Sequence, residues 1–471
     1  MRAVFPGLIA AVLATATAGA QPQTRRQTPD GARLPGFDRS LVLAQAAAPI
    51  SGGEQPSTPP MFQMRNGRPV ITLADGNLTI QPVARFDVDF GGFFNQPTYA
   101  TFPNPTRYLD STGRTGVPDE GVNLRRARLG LQGTYLRDFT YNFTWDFAQA
   151  PGTSFDALKL SRLFELQTAY TGFGWVTPRI GAFTLNSTIP YAMSSFERTQ
   201  LEPASIVNIF TSLGAGDARL AVGGEARGER WFASLYATDG QTTSLNDGRQ
   251  RGVVGRGNYL VLNEEKAKIA VGLNGIAQFA SGTRGAPNSV NLRDYPEVRL
   301  DPARLLVTGT LRNIGTGWGL GPEVQAMLGP VYLQAEYYSI NLDFTDGSPG
   351  RSFRGYYLDA SLPLIGEPRR HDRARGVFVR PRFEDLNPQA GSWGWLELAA
   401  RWSWVSLNDA PTRGGSQGVF SAALNYYPVS QVRASVQVMN GTVRLLPGTS
   451  ASPAGADRAF SAVVGRLAFN W

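Results

Sequence analysis

From about Ile71 onward the chain alternates, apolar residue against polar residue, in runs of about ten. Residues 78–90 set Ile80, Ala84, Phe86, Val88 and Phe90 on one face and Gln81, Arg85, Asp87 and Asp89 on the other. Tyr141, Phe143, Trp145 and Phe147 alternate with Asn142, Thr144 and Asp146. Leu396, Leu398, Ala400, Trp402 and Trp404 alternate with Glu397, Ala399, Arg401 and Ser403. Val432, Ala434, Val436 and Val438 alternate with Arg433, Ser435 and Gln437. Strands of this length exceed the usual ~5–6 residues, and they match the ~9–11 needed to cross a bilayer at a tilt. Each has one apolar, aromatic-tipped face and one charged face, often of both signs.

Period two fits a soluble sandwich with its charges outward, or a membrane barrel with its apolar face in lipid and its charges around a wet lumen. Two further features favour the barrel. The N-terminus reads as a secretory signal over residues 1–20, with Arg2, an apolar run and Ala18-Gly19-Ala20 as the cleavage site. The chain closes on a strand in which Val463, Gly465, Leu467, Phe469 and Trp471 share a face, like the aromatic-terminated last strand of outer-membrane barrels. Residues 21–60, rich in Gln, Pro, Ala, Ser and Thr, read as a flexible lead-in. Residues 61–471 then form an all-β, transmembrane antiparallel barrel. Fifteen to seventeen candidate strands give an even sixteen, with short periplasmic turns and long outer loops at 95–119, 240–258, 281–303 and 341–353.

Composition removes other chemistries. There is no Cys, so no thiol catalysis, disulfide or Cys-ligated metal. A single His, His371, and the lack of a Gly-x-Ser-x-Gly elbow argue against a hydrolase. The 315–321 stretch, Gly at every second position, lacks a Walker Lys and reads as a strand beginning. No nucleotide, cofactor or metal motif stands out. The net charge is +8, with 42 Arg and three Lys (Lys159, Lys266 and Lys268) spread end to end, so nucleic acid is not the expected partner. Trp393, Trp395, Trp402 and Trp404 read as interfacial girdle residues. Arg369, Arg370, Arg373 and Arg375 around His371 read as a loop or strand end, a solvated turn.

Several segments together resemble the phosphate-selective porin O and P family: residues 67–78, 123–133, 138–148, 180–198, 355–361, 373–376, 395–401 and 419–428, in order and spacing. The resemblance implies a sixteen-stranded, trimeric outer-membrane porin for small anions such as phosphate, embedded in lipid and lipopolysaccharide. Residues 179–189 carry no Lys where relatives often read Gly-Gln-Phe-Lys, so Arg must supply the cationic lining. Arg suits phosphate through its bidentate fork. The alternation nominates Arg85, Arg126, Arg128, Arg219, Arg227, Lys266, Lys268, Arg312, Arg401 and Arg433 as pore-lining anion contacts, since cations facing lipid at mid-bilayer cost ~2–4 kcal/mol each. Against this, Asp87, Asp89, Asp146, Glu225, Glu323, Glu336, Asp359 and Glu397 point the same way and can neutralise them in salt bridges. A general or cation-tolerant porin of the same fold, and a plugged barrel serving as a structural or interaction protein, are therefore the rival readings.

Overall fold

The computed structural model describes residues 61–65, 68–94, 120–148, 162–216, 218–241, 250–283, 285–300, 304–446 and 456–471. The expected signal, the lead-in and the 95–119 loop lie outside them. Sixteen strands run in chain order: β1 Leu78–Phe94, β2 Gly121–Tyr135, β3 Phe139–Asp146, β4 Arg162–Tyr170, β5 Val176–Phe183, β6 Arg219–Arg227, β7 Trp231–Gln241, β8 Arg251–Asn263, β9 Ala267–Ala280, β10 Ile314–Leu328, β11 Val331–Phe344, β12 Arg351–Ile365, β13 Trp395–Asp409, β14 Thr412–Tyr427, β15 Val432–Leu445 and β16 Ala456–Asn470. Each pairs antiparallel with the next, and β16 returns to β1, with Gly465 opposite Phe90. Closure leaves no unpaired edge, which a lipid environment requires. A short hairpin, Phe62–Arg65 with Arg68–Leu73, adds to the first residues of β1.

The alternation places faces as the sequence suggests. Phe86, Phe90, Phe143, Leu398, Trp402, Val436 and Leu467 are exposed on the outer surface, while Asp87, Asn142, Glu397, Arg401 and Arg433 are buried inside. Turns at 136–138, 171–175, 228–230, 264–266, 329–330 and 428–431 are short and share the end where β1 begins. Residues 251–258, expected in a loop, are strand, and the loop around 341–353 shrinks to 345–350.

The lumen departs from the expectation of a uniformly charged, wet interior. Residues 184–218 fold inward and carry helix α1, Ile189–Ala192, and helix α2, Ser205–Ser212. Ile206, Val207, Ile209, Phe210 and Leu213 pack on the inward faces of β11, β12 and β13, including Tyr338, Ile340, Leu342, Phe353, Val405 and Leu407. Those inward positions are apolar because a helix, not water, covers them. The alternating glycines of 315–321 do lie in a strand, β10. They make the trough that receives α2. A Cβ on Gly319 would stand 2.8 Å from the Phe210 ring, and one on Gly317 would stand 2.9 Å from Leu213.

A second inward segment comes from the turn end. Residues 366–394 are long where a short turn was expected, and hold a hairpin, Arg370–Asp372 with Val377–Val379. Val377, Phe378 and Val379 bury against Ile189, Met193, Leu260 and Tyr332. Arg369 reaches Glu397 with two bonds, Nε at 2.6 Å and Nη2 at 2.8 Å. Two of the run's four arginines thus clasp carboxylates inside, Arg369 on Glu397 and Arg375 on Asp372 and Glu197, while Arg373 is exposed in the turn as expected. Trp395 is likewise no girdle residue. It is fully buried, packs on Tyr427 and donates its Nε1–H to the Glu367 carbonyl at 2.9 Å.

Overpacking the trough tests this arrangement. Gly319→Val is expected to destabilise the barrel by about 1–3 kcal/mol, read as a lower temperature for loss of the folded species. Gly285→Ala, which meets open space, serves as the unchanged control. Equal stability of both variants contradicts the packing account.

Candidate functional site

The inward loop 184–218 crosses the lumen and is tied to the wall along its length. Ile189 N donates to Glu336 at 3.0 Å, Thr199 Oγ1 to Asp359 at 3.1 Å and Leu201 N to Gln437 at 3.0 Å. Arg433 donates to the Phe196 carbonyl at 3.1 Å, and Arg466 to the Leu201 carbonyl at 2.7 Å. Glu202 is the anchor. Arg125 grips it with both Nε and Nη2, at 2.8 and 3.0 Å, while Arg466 lies at 2.8 Å and Arg126 at 3.5 Å. Burial alone would raise the Glu202 carboxyl, but Arg125, Arg126 and Arg466 hold it well below the usual carboxylate range. The lattice continues through Asp87, shared by Arg85 at 3.0 Å and Arg126 at 2.7 Å, and through Asp89, held bidentately by Arg466.

Most expected pore-lining cations are placed on the inward wall and partnered there. Arg85 and Arg126 meet Asp87; Arg128 meets Asp146 at 2.8 Å and lies 3.4 Å over the Phe164 ring; Arg401 meets Glu297 at 2.6 Å. Arg219 donates to the Asp239 carbonyl and to Gln250, and Arg227 to the Gly174 carbonyl and Thr177. Arg433 donates to Asn425 and Ser435. Lys268 sits at the turn end, on Asn263 and the Glu264 carbonyl. Two expectations need correction. Lys266 is exposed in the 264–266 turn, and Arg312 is exposed in the connection before β10, because the alternation was carried past the strand ends.

The eight inward carboxylates are all buried. Several hold partners that the alternation did not nominate, such as Arg256 on Glu323 at 2.8 Å and Arg179 on Glu225 at 3.5 Å. Arg125 was invisible to period-two reading because a bulge between β1 and β2 adds a residue there and reorients it. Arg466 was legible: the last strand's alternation sets it opposite Gly465 and Leu467.

A second connection, between β9 and β10, carries further cations, Arg293, Arg299 and Arg304. Glu297 adopts a left-handed φ of 61°, a conformation costing about 1–3 kcal/mol, and its carboxylate accepts from Ser205 N, Ser403 and Arg401. This fixes the connection on α2. Tyr295 lies between two guanidiniums, Arg299 at 5.2 Å and Arg304 at 4.5 Å from the ring, and its hydroxyl accepts from Arg304 at 3.1 Å. Asn208 donates to Asp294 at 3.0 Å. Burial pushes the Asp294 carboxyl up to about 6, against the pull of Arg299 and Arg304. Among the described residues, Arg293, Arg299 and Arg304 form no ion pair within 4.0 Å, and Arg293 is exposed.

His371 lies in the turn-end hairpin, its ring 5.1 Å from Phe378. Burial, with Lys268, Arg373 and Arg256 nearby, pushes its imidazole down to about 4 although Asp372 opposes this. It is neutral at pH 7.

The sequence profile described as phosphate-selective porin O and P matches residues 107–471. Porin O of Pseudomonas aeruginosa is 23% identical over 369 residues, covering 73% of this chain and 78% of that protein. The anion-selective porin from Comamonas acidovorans superposes with a TM-score of 0.49 at 10% identity, over 84% of this chain and 100% of that one. The outer-membrane protein OmpT of Vibrio cholerae superposes with a TM-score of 0.48 at 10% identity, over 85% and 100%.

The anchor is testable. Glu202→Gln leaves buried guanidiniums short of a charge and is expected to cost about 3–5 kcal/mol. Arg444→Ala, which breaks only the exposed pair with Asp457 at 3.1 Å, is expected to cost under about 1 kcal/mol. Denaturant unfolding followed by Trp fluorescence reads both, and a Glu202→Gln cost as small as that of Arg444→Ala contradicts the anchoring role.

Proposed function

The chain belongs to the phosphate-selective porin O and P family, and from that premise we propose that it is a passive, anion-preferring diffusion channel of the outer membrane. The observation that carries this reading is the uneven pairing of its cations. Arg85, Arg126 and Arg401 face carboxylates and stabilise the inward loop, and Arg433 ties the same loop through neutral partners. Arg299 and Arg304 act on Asp294 where the 281–313 connection meets α2, Arg293 stands beside Arg304, and Arg299 also acts on Glu202, a carboxylate that Arg125, Arg126 and Arg466 already hold. That leaves a local positive excess that draws anions into a confined space. Half-buried Arg128, with Arg219 and Arg227, is read as continuing the contact below, and Lys268 as closing it at the turn end. Arg's fork suits an oxyanion such as phosphate, which enters as the candidate solute. Homotrimeric assembly, lipopolysaccharide contact at outward Arg354 and export through a cleaved signal belong to the same reading.

A second reading has its own support. The apolar core around α2 covers the inward faces of β11–β13, as in a barrel that displays loops and does not conduct. Single-channel recording separates the two: discrete steps support the channel, and their absence supports the plugged barrel.

In a planar bilayer under a KCl gradient, the reversal potential is expected on the chloride side, with inorganic phosphate reducing the current. As pH falls through about 6, Asp294 loses its charge and the surrounding excess of Arg grows. Anion preference is therefore expected to rise from pH 8 to pH 5, and Asp294→Asn to hold the low-pH value throughout. A cation-selective reversal, or a shared pH profile for the protein and the variant, contradicts the proposal.

A further inference from the structure

Beneath the inward loop lies a small cavity of about 10 Å³, with Thr199, Gln200, Tyr357, Asp359 and Arg401 among its lining. Its polar groups are only partly satisfied. Asp359 Oδ2 accepts from Thr199 Oγ1 at 3.1 Å and from Gln334 Nε2 at 2.8 Å, but Oδ1 has no partner. Arg401 commits Nη1 to the Glu202 carbonyl at 2.9 Å and Nη2 to Glu297 at 2.6 Å, and its Nε has no partner. Gln200 Oε1 accepts from Ser421 Oγ at 3.2 Å, which turns the unpartnered Nε2 the other way. All three residues are at least 97% buried.

Arg401 Nε and Asp359 Oδ1 stand 4.0 Å apart. That is too long for a hydrogen bond, and it is a span at which an intervening water is the natural bridge. Orphaned buried donors and acceptors keep their desolvation penalty unless a partner meets them, so three together define a binding socket. We propose that this pocket binds a single hydroxyl-bearing molecule, a water, which accepts from Arg401 Nε and Gln200 Nε2 and donates to Asp359 Oδ1. The charges around it exclude the other small candidates. A chloride or phosphate oxygen would face Asp359 and Glu202, and a metal cation would face Arg401 and Arg198. Two donors and one acceptor suit a group that both accepts and donates. The bridge joins the loop, through Gln200, to two wall strands, β12 and β13. It makes part of the clasp across the lumen water-mediated and independent of any permeating solute.

The test is structure determination of the full-length protein in detergent, at a resolution that shows ordered water, in salt containing bromide. The expected result is a peak within about 3.2 Å of all three atoms, with no anomalous signal. In Gln200→Leu the peak is expected to vanish and Arg401 Nε to close on Asp359 Oδ1 to about 2.9 Å. A bromide signal at the site, a direct Arg401–Asp359 bond in the unmodified protein, or a peak that persists unchanged in Gln200→Leu overturns the proposal. If the variant does not fold, the unmodified protein decides alone.

Discussion

The architecture depends on ion pairs made inside a membrane barrel. Backbone satisfaction closes the sheet, but it does not say what happens within it. Glu202, held among Arg125, Arg126 and Arg466, carries the inward loop across the lumen. Arg466 joins that group to Asp89, and Arg126 joins it to Asp87, so four guanidiniums and three carboxylates of loop and wall form one lattice. Buried pairs of this kind are strong in geometry and expensive to break on one side. They favour a lumen of fixed shape.

Much of this was legible in the sequence. The alternation from Leu78 to Trp471 placed Asp87, Asp146, Glu397, Arg401 and Arg433 inside and Phe143, Trp402 and Leu467 outside, and the count of sixteen strands followed. What period two cannot see is a change of register or a change of environment. Arg125 faces inward only through a bulge. The apolar inward residues of β11–β13 make sense only once α2 lies on them, and the glycines of 315–321 only once Phe210 and Leu213 need their space. Trp395 sat on the Glu397 face of its own strand, so its burial was readable, but its residue type suggested lipid. The 366–394 segment was read as solvated because its arginines were counted without Glu397 and Glu197.

The candidate site was legible in kind and less so in place. Cations on inward strand faces were expected to meet the solute. The wall instead sets Arg85, Arg126, Arg128 and Arg401 against carboxylates and ties Arg219, Arg227 and Arg433 to carbonyl, hydroxyl and amide groups. The positive excess lies on the 281–313 connection, around Tyr295 and Asp294, in a segment whose sequence has no period to read. An irregular connection is placed by its anchors, here Glu297 on Ser205, Ser403 and Arg401, and these are contacts between residues far apart in the chain.

The central claim is that these connection cations set most of the anion preference, with the strand arginines adding less. The most direct measurement is the reversal potential of Arg299→Ala/Arg304→Ala beside that of Arg128→Ala, in the same KCl gradient. The account predicts a large shift toward cations for the double variant and a small one for Arg128→Ala, whose partner Asp146 loses its counter-charge. An unchanged potential in the double variant, with the shift appearing in Arg128→Ala, would contradict it.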